Sequence, residues 1–332
     1  MTIGSVPAQD TTRKAFLAYF SAAGLGSTLF PGTLWAEMSR QQAAEVTGEM
    51  VRDAGWVAGL ELTEEQAQEM AEGVNRNLRN QEELWETPLD NSVGPPLYFS
   101  PLVPGMTVDR EARTFRTSDT SGLRRPADLE EVAFWPLASL GELVRTRQVS
   151  SVELTEMYLA RLRRYNPTYN NVVTFTEGLA VEEARRADAE LAAGRYRGPL
   201  HGLPWGAKDI LGVRGYPTTW GSEAFRGQVT EYEASVVRLL REAGAVLVAK
   251  LSTGELAGGD RWFGGRTRNP WNTGYGSSGS SAGPASATVA GCVAFAVGTE
   301  TSGSILSPSI ACGATGLRPT FGRVSRYGAM TL

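Results

Sequence analysis

The chain has 332 residues, of which 42% are hydrophobic and 20% charged, and its formal net charge is −4. A chain of this length buries a large core and holds one big domain or two modest ones. The charge offers nucleic acid no long-range attraction, and the single histidine, His201, excludes His-rich metal sites and ties any Ser-His-Asp triad to that one residue.

Residues 1–36 read as an export signal or a disordered N-terminus. Arg13-Lys14 precedes the apolar run Ala15–Gly26, a pattern resembling a twin-arginine signal with lysine in second place, but no Ala-x-Ala cleavage site follows. A cytoplasmic protein, with this run as a short amphipathic helix, is the first reading, and export by a twin-arginine-like signal is the alternative. No run is long enough to span a membrane.

Residues 37–136 read as a small helical appendage followed by a Pro-rich linker that wraps the surface. Thr63-Glu64-Glu65-Gln66 fits a capping box and opens a helix through Met70, Val74 and Leu78 toward Trp85, with that stripe as its docking face. Pro88, Pro95, Pro96, Pro101 and Pro104 then remove backbone donors and disfavour helix at the residues before them.

Order returns over 137–332. Ser139–Arg147 and Ser151–Leu162 have helical periodicity, the second capped by Ser150 or Ser151. Asn171–Thr176 alternates as a short strand, Val181–Ala193 reads as a helix ended by Gly194, and Gly202–Val213 is strand-like. Ser235–Ala243 is a helix that feeds the strand Ala245–Lys250. Alternating strands and helices predict an α/β fold, a mixed sheet with helices on both faces.

The densest serine and glycine lie between Gly274 and Ser325. Two clusters, Gly276–Gly283 and Thr299–Ser304, flank an apolar run, Ala285–Val297, that reads as one element buried on every side. A flexible Gly/Ser linker would not enclose Val-Ala-Gly-Cys-Val-Ala-Phe-Ala-Val. Cys292 and Cys312, both in small apolar surroundings, read as buried thiols, not as a disulfide.

These residues resemble the amidase signature family. The likeness rests on Gly298-Thr-Glu-Thr-Ser-Gly-Ser-Ile305 with Pro308 and Cys312-Gly313, and on Gly198-Pro-Leu-His-Gly-Leu-Pro-Trp-Gly-Ala-Lys208-Asp209, and it runs from about Leu137 to Leu332. It implies a hydrolase of amide C–N bonds that works on a small molecule without metal or cofactor. The related glutamine-hydrolysing subunit of glutamyl/aspartyl-tRNA amidotransferase, which passes ammonia to a partner enzyme, is the alternative. A non-catalytic remnant is the third reading.

Ser304 is the candidate nucleophile, followed in role by main-chain N–H groups of Thr301, Ser302 and Gly303 as a nest for a negative oxygen. The resemblance implies a second serine on a cis peptide bond that relays the proton to a lysine. Ser277-Ser278 and Ser280-Ser281 compete for that place, and the family's spacing selects Ser280, 24 residues before Ser304. Ser281 becomes a hydrogen-bonding neighbour, and Lys208 the terminal base. An ordinary lysine, with a pKa of about 10.4, is protonated at neutral pH; burial among Leu203, Pro204, Trp205 and Ile210 lowers it, and Asp209 opposes this unless its side chain points away.

His201 reads as structural, and the Lys250–Glu255 region as pocket wall. The chain departs from the family at Ser302, Leu306, Ala282 and Pro284, and it stops where relatives continue. It reads as incomplete at the C-terminal end, with a homodimer or a complementing C-terminal chain as partner. No nucleic acid is expected as a direct partner.

Overall fold

The computed structural model describes residues 45–88, 93–94, 99–100, 102–108, 111 and 118–331. The export-signal reading and the side chain of Trp85 lie outside the described residues. Two compact units divide the chain, residues 1–96 and 97–332.

The first unit is a helical pair, α1 (Gly48–Ala58) and α2 (Glu64–Glu86). The capping box forms as expected: Thr63 Oγ1 accepts the Gln66 N–H at 3.2 Å and Gln66 Oε1 accepts the Thr63 N–H at 3.0 Å. The buried face differs from the expected stripe. Ala67 and Ala71 pack with Val46 and Val51, joined by Leu78, while Met70 and Val74 are 45% and 40% exposed. Small alanines let α1 approach closely, and the larger side chains turn outward.

In the second unit a short 3-10 turn, Leu129–Phe134, already belongs to the core through buried Val132 and Ala133. Then follow α3 (Leu137–Arg145), α4 (Ser151–Tyr169), β1 (Val172–Phe175), α5 (Glu177–Ala192), β2 (Pro204–Lys208), α6 (Ser235–Glu242) and β3 (Val246–Leu251). Two small hairpins, β4 (Arg261–Trp262) with β5 (Gly265–Arg266) and β6 (Arg268–Asn269) with β7 (Asn272–Gly276), precede α7 (Ala282–Val289), β8 (Phe295–Val297) and α8 (Leu306–Cys312).

The start of α4 shows how the sequence sets an element boundary. Ser150 is the cap: its hydroxyl accepts the Glu153 N–H at 3.1 Å and Glu153 accepts the Ser150 N–H at 2.9 Å. Asp188, from α5, takes the N–H groups of Ser151 and Val152. The donors that a helix start leaves open are thus satisfied by two side chains.

The sheet order is β1-β3-β2-β8, with β1 antiparallel to β3 and the other pairs parallel. Both central strands are buried along their whole length, as expected of parallel strands covered on both faces, although each also buries a lysine. On one face Val248 packs with Leu159, Leu162, Ala180 and Ala184; on the other Leu247 packs with Trp205 and Val237. Helices therefore cover both faces of a mixed sheet.

The apolar run Ala285–Val297 is not one element. It breaks into α7 and β8 at Gly291, whose φ of +62° ends the helix in the left-handed region that glycine adopts freely. β8 is half-buried, not enclosed on every side. Gly283 lets α7 press against the sheet end: a Cβ there would stand 2.3 Å from the Ser252 nitrogen and 2.7 Å from the Asn171 carbonyl oxygen. Cys292 and Cys312 are buried free thiols, and burial pushes them up to about 12 and about 11. Among the described residues no helix is long and apolar enough to cross a membrane.

Candidate active site

Three segments meet beyond the carboxyl ends of β2 and β8, the edge where parallel α/β sheets place their ligands. β2 ends in Lys208, the loop before α7 carries Ser280 and Ser281, and the segment after β8 carries Thr299 to Ser304.

Lys208 is completely buried, as are its neighbours Leu203 and Ile210. Its Nζ donates to Ser280 Oγ at 2.8 Å, to Thr299 Oγ1 at 3.0 Å and to the Thr299 carbonyl oxygen at 3.4 Å. All of these acceptors are neutral. Burial therefore dominates and lowers the amine to about 7, with the negative charge of Glu300 pulling weakly the other way. Asp209 does not oppose it, because its side chain points to Lys250 Nζ, 2.7 Å away, and to Thr219.

The peptide bond between Gly279 and Ser280 is cis. It sits against the loop after β3: a Cβ on Gly279 would fall 1.8 Å from the Gly259 carbonyl oxygen, and the Gly254 N–H donates to the Ser280 carbonyl at 3.2 Å. Ser281 ties the serine loop to the segment after β8. Its N–H donates to the Ser304 carbonyl at 3.0 Å, and its hydroxyl donates to the Thr299 carbonyl at 3.1 Å and accepts the Thr299 N–H at 3.2 Å.

Ser304 is half-buried, and its hydroxyl has no hydrogen-bond partner among the described residues. Lys208 and Ser280 are thus in contact, while among the described residues Ser304 is joined to the serine loop only through its carbonyl, which accepts the Ser281 N–H. Nor do the N–H groups of Thr301, Ser302, Gly303 and Ser304 donate to any acceptor among the described residues. Gly303, at φ +110°, turns the chain there. The next two N–H groups, of Ile305 and Leu306, both go to Glu300 Oε2, at 2.8 and 2.9 Å. Glu300 thereby holds both ends of the Thr301–Ser304 turn.

Thr299 and Glu300 were not singled out from the sequence. Both stand inside the Gly-Thr-acidic segment, but their roles need the fold: one touches an amine 91 residues away, the other caps the following helix. Lys250 is fully buried in the sheet. Glu255 is exposed and accepts from Ser222. His201 is structural, since Nδ1 accepts the Arg197 N–H at 3.2 Å and Nε2 lies 2.9 Å from the Ala187 carbonyl oxygen.

The Amidase family profile matches residues 153–332, more than half of the chain. The chain belongs to the amidase family. Among curated relatives this amidase-family chain is 45% identical over 195 residues to a glutamyl-tRNA(Gln) amidotransferase subunit of Methylococcus capsulatus, covering 58% of this chain and 40% of that protein. The protein of the same name from Dechloromonas aromatica is 44% identical over 198 residues, covering 58% of this chain and 41% of that protein. Among solved structures, native peptide amidase from Stenotrophomonas maltophilia is similar with a TM-score of 0.58 at 36% identity, over 61% of this chain and 43% of that one. An amidase family protein from Bacillus anthracis matches with the same TM-score, 0.58, at 32% identity, over 61% of this chain and 42% of that one. The chain spans about two fifths of the length of the curated relatives it matches.

Proposed function

We infer that this chain cleaves an amide C–N bond of a small molecule with Ser304 as nucleophile, Ser280 as relay and Lys208 as terminal base. The observation that carries this reading is the buried Lys208 amine, lowered to about 7 and bonded at 2.8 Å to the Ser280 hydroxyl. A neutral amine accepts a proton, and an intervening alcohol passes it on.

Ser304 Oγ adds to the amide carbonyl carbon. Its proton moves to Ser280 Oγ as the Ser280 proton moves to Lys208 Nζ. The carbonyl oxygen, now negative, takes hydrogen bonds from the unpaired main-chain N–H groups of the Thr301–Ser304 turn. Collapse breaks the C–N bond, and Lys208 returns its proton through Ser280 to the departing amine. Water then releases the acyl group from Ser304 by the same relay. The Ser280–Ser304 bond closes when substrate is present; catalytic hydrogen bonds in unliganded sites are commonly open.

Reaction with a serine-directed fluorophosphonate, followed by peptide mapping, tests the assignment. Label on Ser304 is expected, with a rate that rises with pH through about 7 and is lost in Lys208→Ala. Labelling that spares Ser304 overturns it.

The second reading is a glutamine-hydrolysing protein working with partner chains. It is favoured by the identity of 45% to a protein named as an amidotransferase subunit. The same three residues serve both readings. Hydrolysis of simple amides by the purified chain favours the first, and glutaminase activity that appears only with added partner chains favours the second.

A further inference from the structure

Lysine is scarce in this chain: Lys14, Lys208 and Lys250 are the only three among 32 basic residues. The two that the structure describes are both fully buried and lie on neighbouring parallel strands, Lys208 at the end of β2 and Lys250 on β3. Arginine stays charged in any protein setting, whereas lysine loses its proton when desolvated. The placement of these two lysines therefore bears on how Lys208 becomes a base.

Asp209 follows Lys208 directly and is also fully buried. A free carboxylate so close would hold Lys208 as an ammonium, because an opposite charge favours the charged form. Here that carboxylate is turned elsewhere: Oδ1 is ion-paired with Lys250 but accepts no well-aligned hydrogen bond among the described residues, and Oδ2 is bonded to Thr219. Oδ1 is 2.7 Å from Lys250 Nζ, and Oδ2 accepts the Thr219 N–H at 3.0 Å and the Thr219 hydroxyl. Lys250 spends its other two donors on the Pro217 carbonyl oxygen and Thr218 Oγ1, both at 2.9 Å. The Asp209–Lys250 pair carries no net charge, wherever its shared proton resides. The charged groups around Lys208 are then Glu300, after β8, and this neutral pair. Helices α4 and α7, which pack on β2, contribute no charge to it among the described residues.

We propose that Lys250 is a positioning residue for the lysine base: by binding the Asp209 carboxylate, it leaves the Lys208 amine free to exchange a proton with Ser280. This rests on the assignment of Lys208 as base, but it is tested on Lys208 itself. With only three lysines, the full chain isotope-labelled at lysine Cε gives three NMR resonances, and Lys208→Met identifies the one that matters.

The Lys208 resonance is expected to titrate at about 7. Lys250→Met leaves Asp209 unpaired. An ionised Asp209 facing Lys208 without its counter-charge moves the midpoint up by about one pH unit, the order expected for a buried charge on the adjacent residue at an effective dielectric near 20. About one amine in ten then remains unprotonated at neutral pH, and the rate of Ser304 labelling falls about five-fold. Adding Asp209→Asn to Lys250→Met restores the original midpoint, and Lys250→Arg leaves it in place.

An unchanged Lys208 midpoint in folded Lys250→Met overturns the proposal. Should that variant show no cooperative melt, Asp209→Asn decides instead: it leaves the Lys250 charge unopposed and must lower the Lys208 midpoint, and no movement overturns the proposal equally. The two inferences separate cleanly. A midpoint that shifts as stated in a chain whose Ser304 takes no fluorophosphonate keeps the role of Lys250 and removes that of Ser304.

Discussion

Replacing Lys208 by methionine should make the protein inactive and more stable at neutral pH. A lysine of ordinary pKa 10.5 that is held at about 7 in the folded state favours the unfolded chain, which binds the proton more readily. The sign follows from linkage: with the folded pKa depressed, stability rises with pH between about 7 and 10.5, and below about 7 the full penalty is present. Integrating between those values, the penalty is about 4 kcal/mol at neutral pH and about 2 kcal/mol two pH units higher. Methionine fills nearly the same volume without the charge. It forfeits the hydrogen bonds to Ser280 and Thr299, at about 1 kcal/mol each, though both hydroxyls can rotate toward other acceptors. The net expectation is a gain of about 2 kcal/mol at neutral pH that shrinks to about zero near pH 9. Urea unfolding of wild type and Lys208→Met across that range measures it. A variant that is less stable at neutral pH, or a difference that does not change with pH, would refute the account of Lys208 as a desolvated amine.

Three packing predictions accompany it. Gly283→Ala should lower stability by about 3 kcal/mol or more, or abolish soluble expression, because the new methyl meets backbone atoms of Ser252 and Asn171 that cannot rotate away. Gly178→Ala, in the first turn of α5 with nothing within 4 Å of the added methyl, should instead raise the melting temperature, by about 0.5–1 kcal/mol in stability. Ser150→Ala should cost about 1 kcal/mol in urea unfolding; it removes the hydroxyl that accepts the Glu153 N–H and donates to the Glu153 carboxylate, while Asp188 still holds the N–H groups of Ser151 and Val152.

The legible features were those encoded in contiguous residues. The capping boxes at Thr63 and Ser150, the strands around Val172 and Val246, and the glycine-serine segments before and after α7 all depend on neighbours within a few positions. Ser280, picked out by its place in long motifs, lies on a cis bond and in contact with Lys208. What stayed hidden depends on side chains brought together from far along the chain. Asp209 reads as a hindrance to Lys208 until the parallel register of β2 and β3 sets Lys250 beside it. Ala67 and Ala71 look inert next to Met70 and Val74, yet helix–helix contact selects the small residues. The apolar run after Pro284 gave no hint of two elements except Gly291, one glycine among many.

The same distinction explains how the site is held. Ser280, Ser281 and Ser304 all lie on loops, where a hydroxyl would ordinarily sample several rotamers and a main-chain turn several shapes. Here each loop is tied by main-chain and side-chain hydrogen bonds: Ser281 to Thr299 and Ser304, Gly254 to Ser280, and the Glu300 carboxylate to the first N–H groups of α8. Only Lys208 comes from a strand, and only Lys208 carries the costly burial. That division is physically sensible. On the proposed mechanism the amine must be dry, which requires the interior of a sheet, whereas the proposed nucleophile and N–H groups must be reached by substrate, which requires the surface. Ser280 lies between these two environments, nearly fully buried itself and in contact with the amine. In the proposed relay, the proton would pass through Ser280 from the reachable side to the dry one.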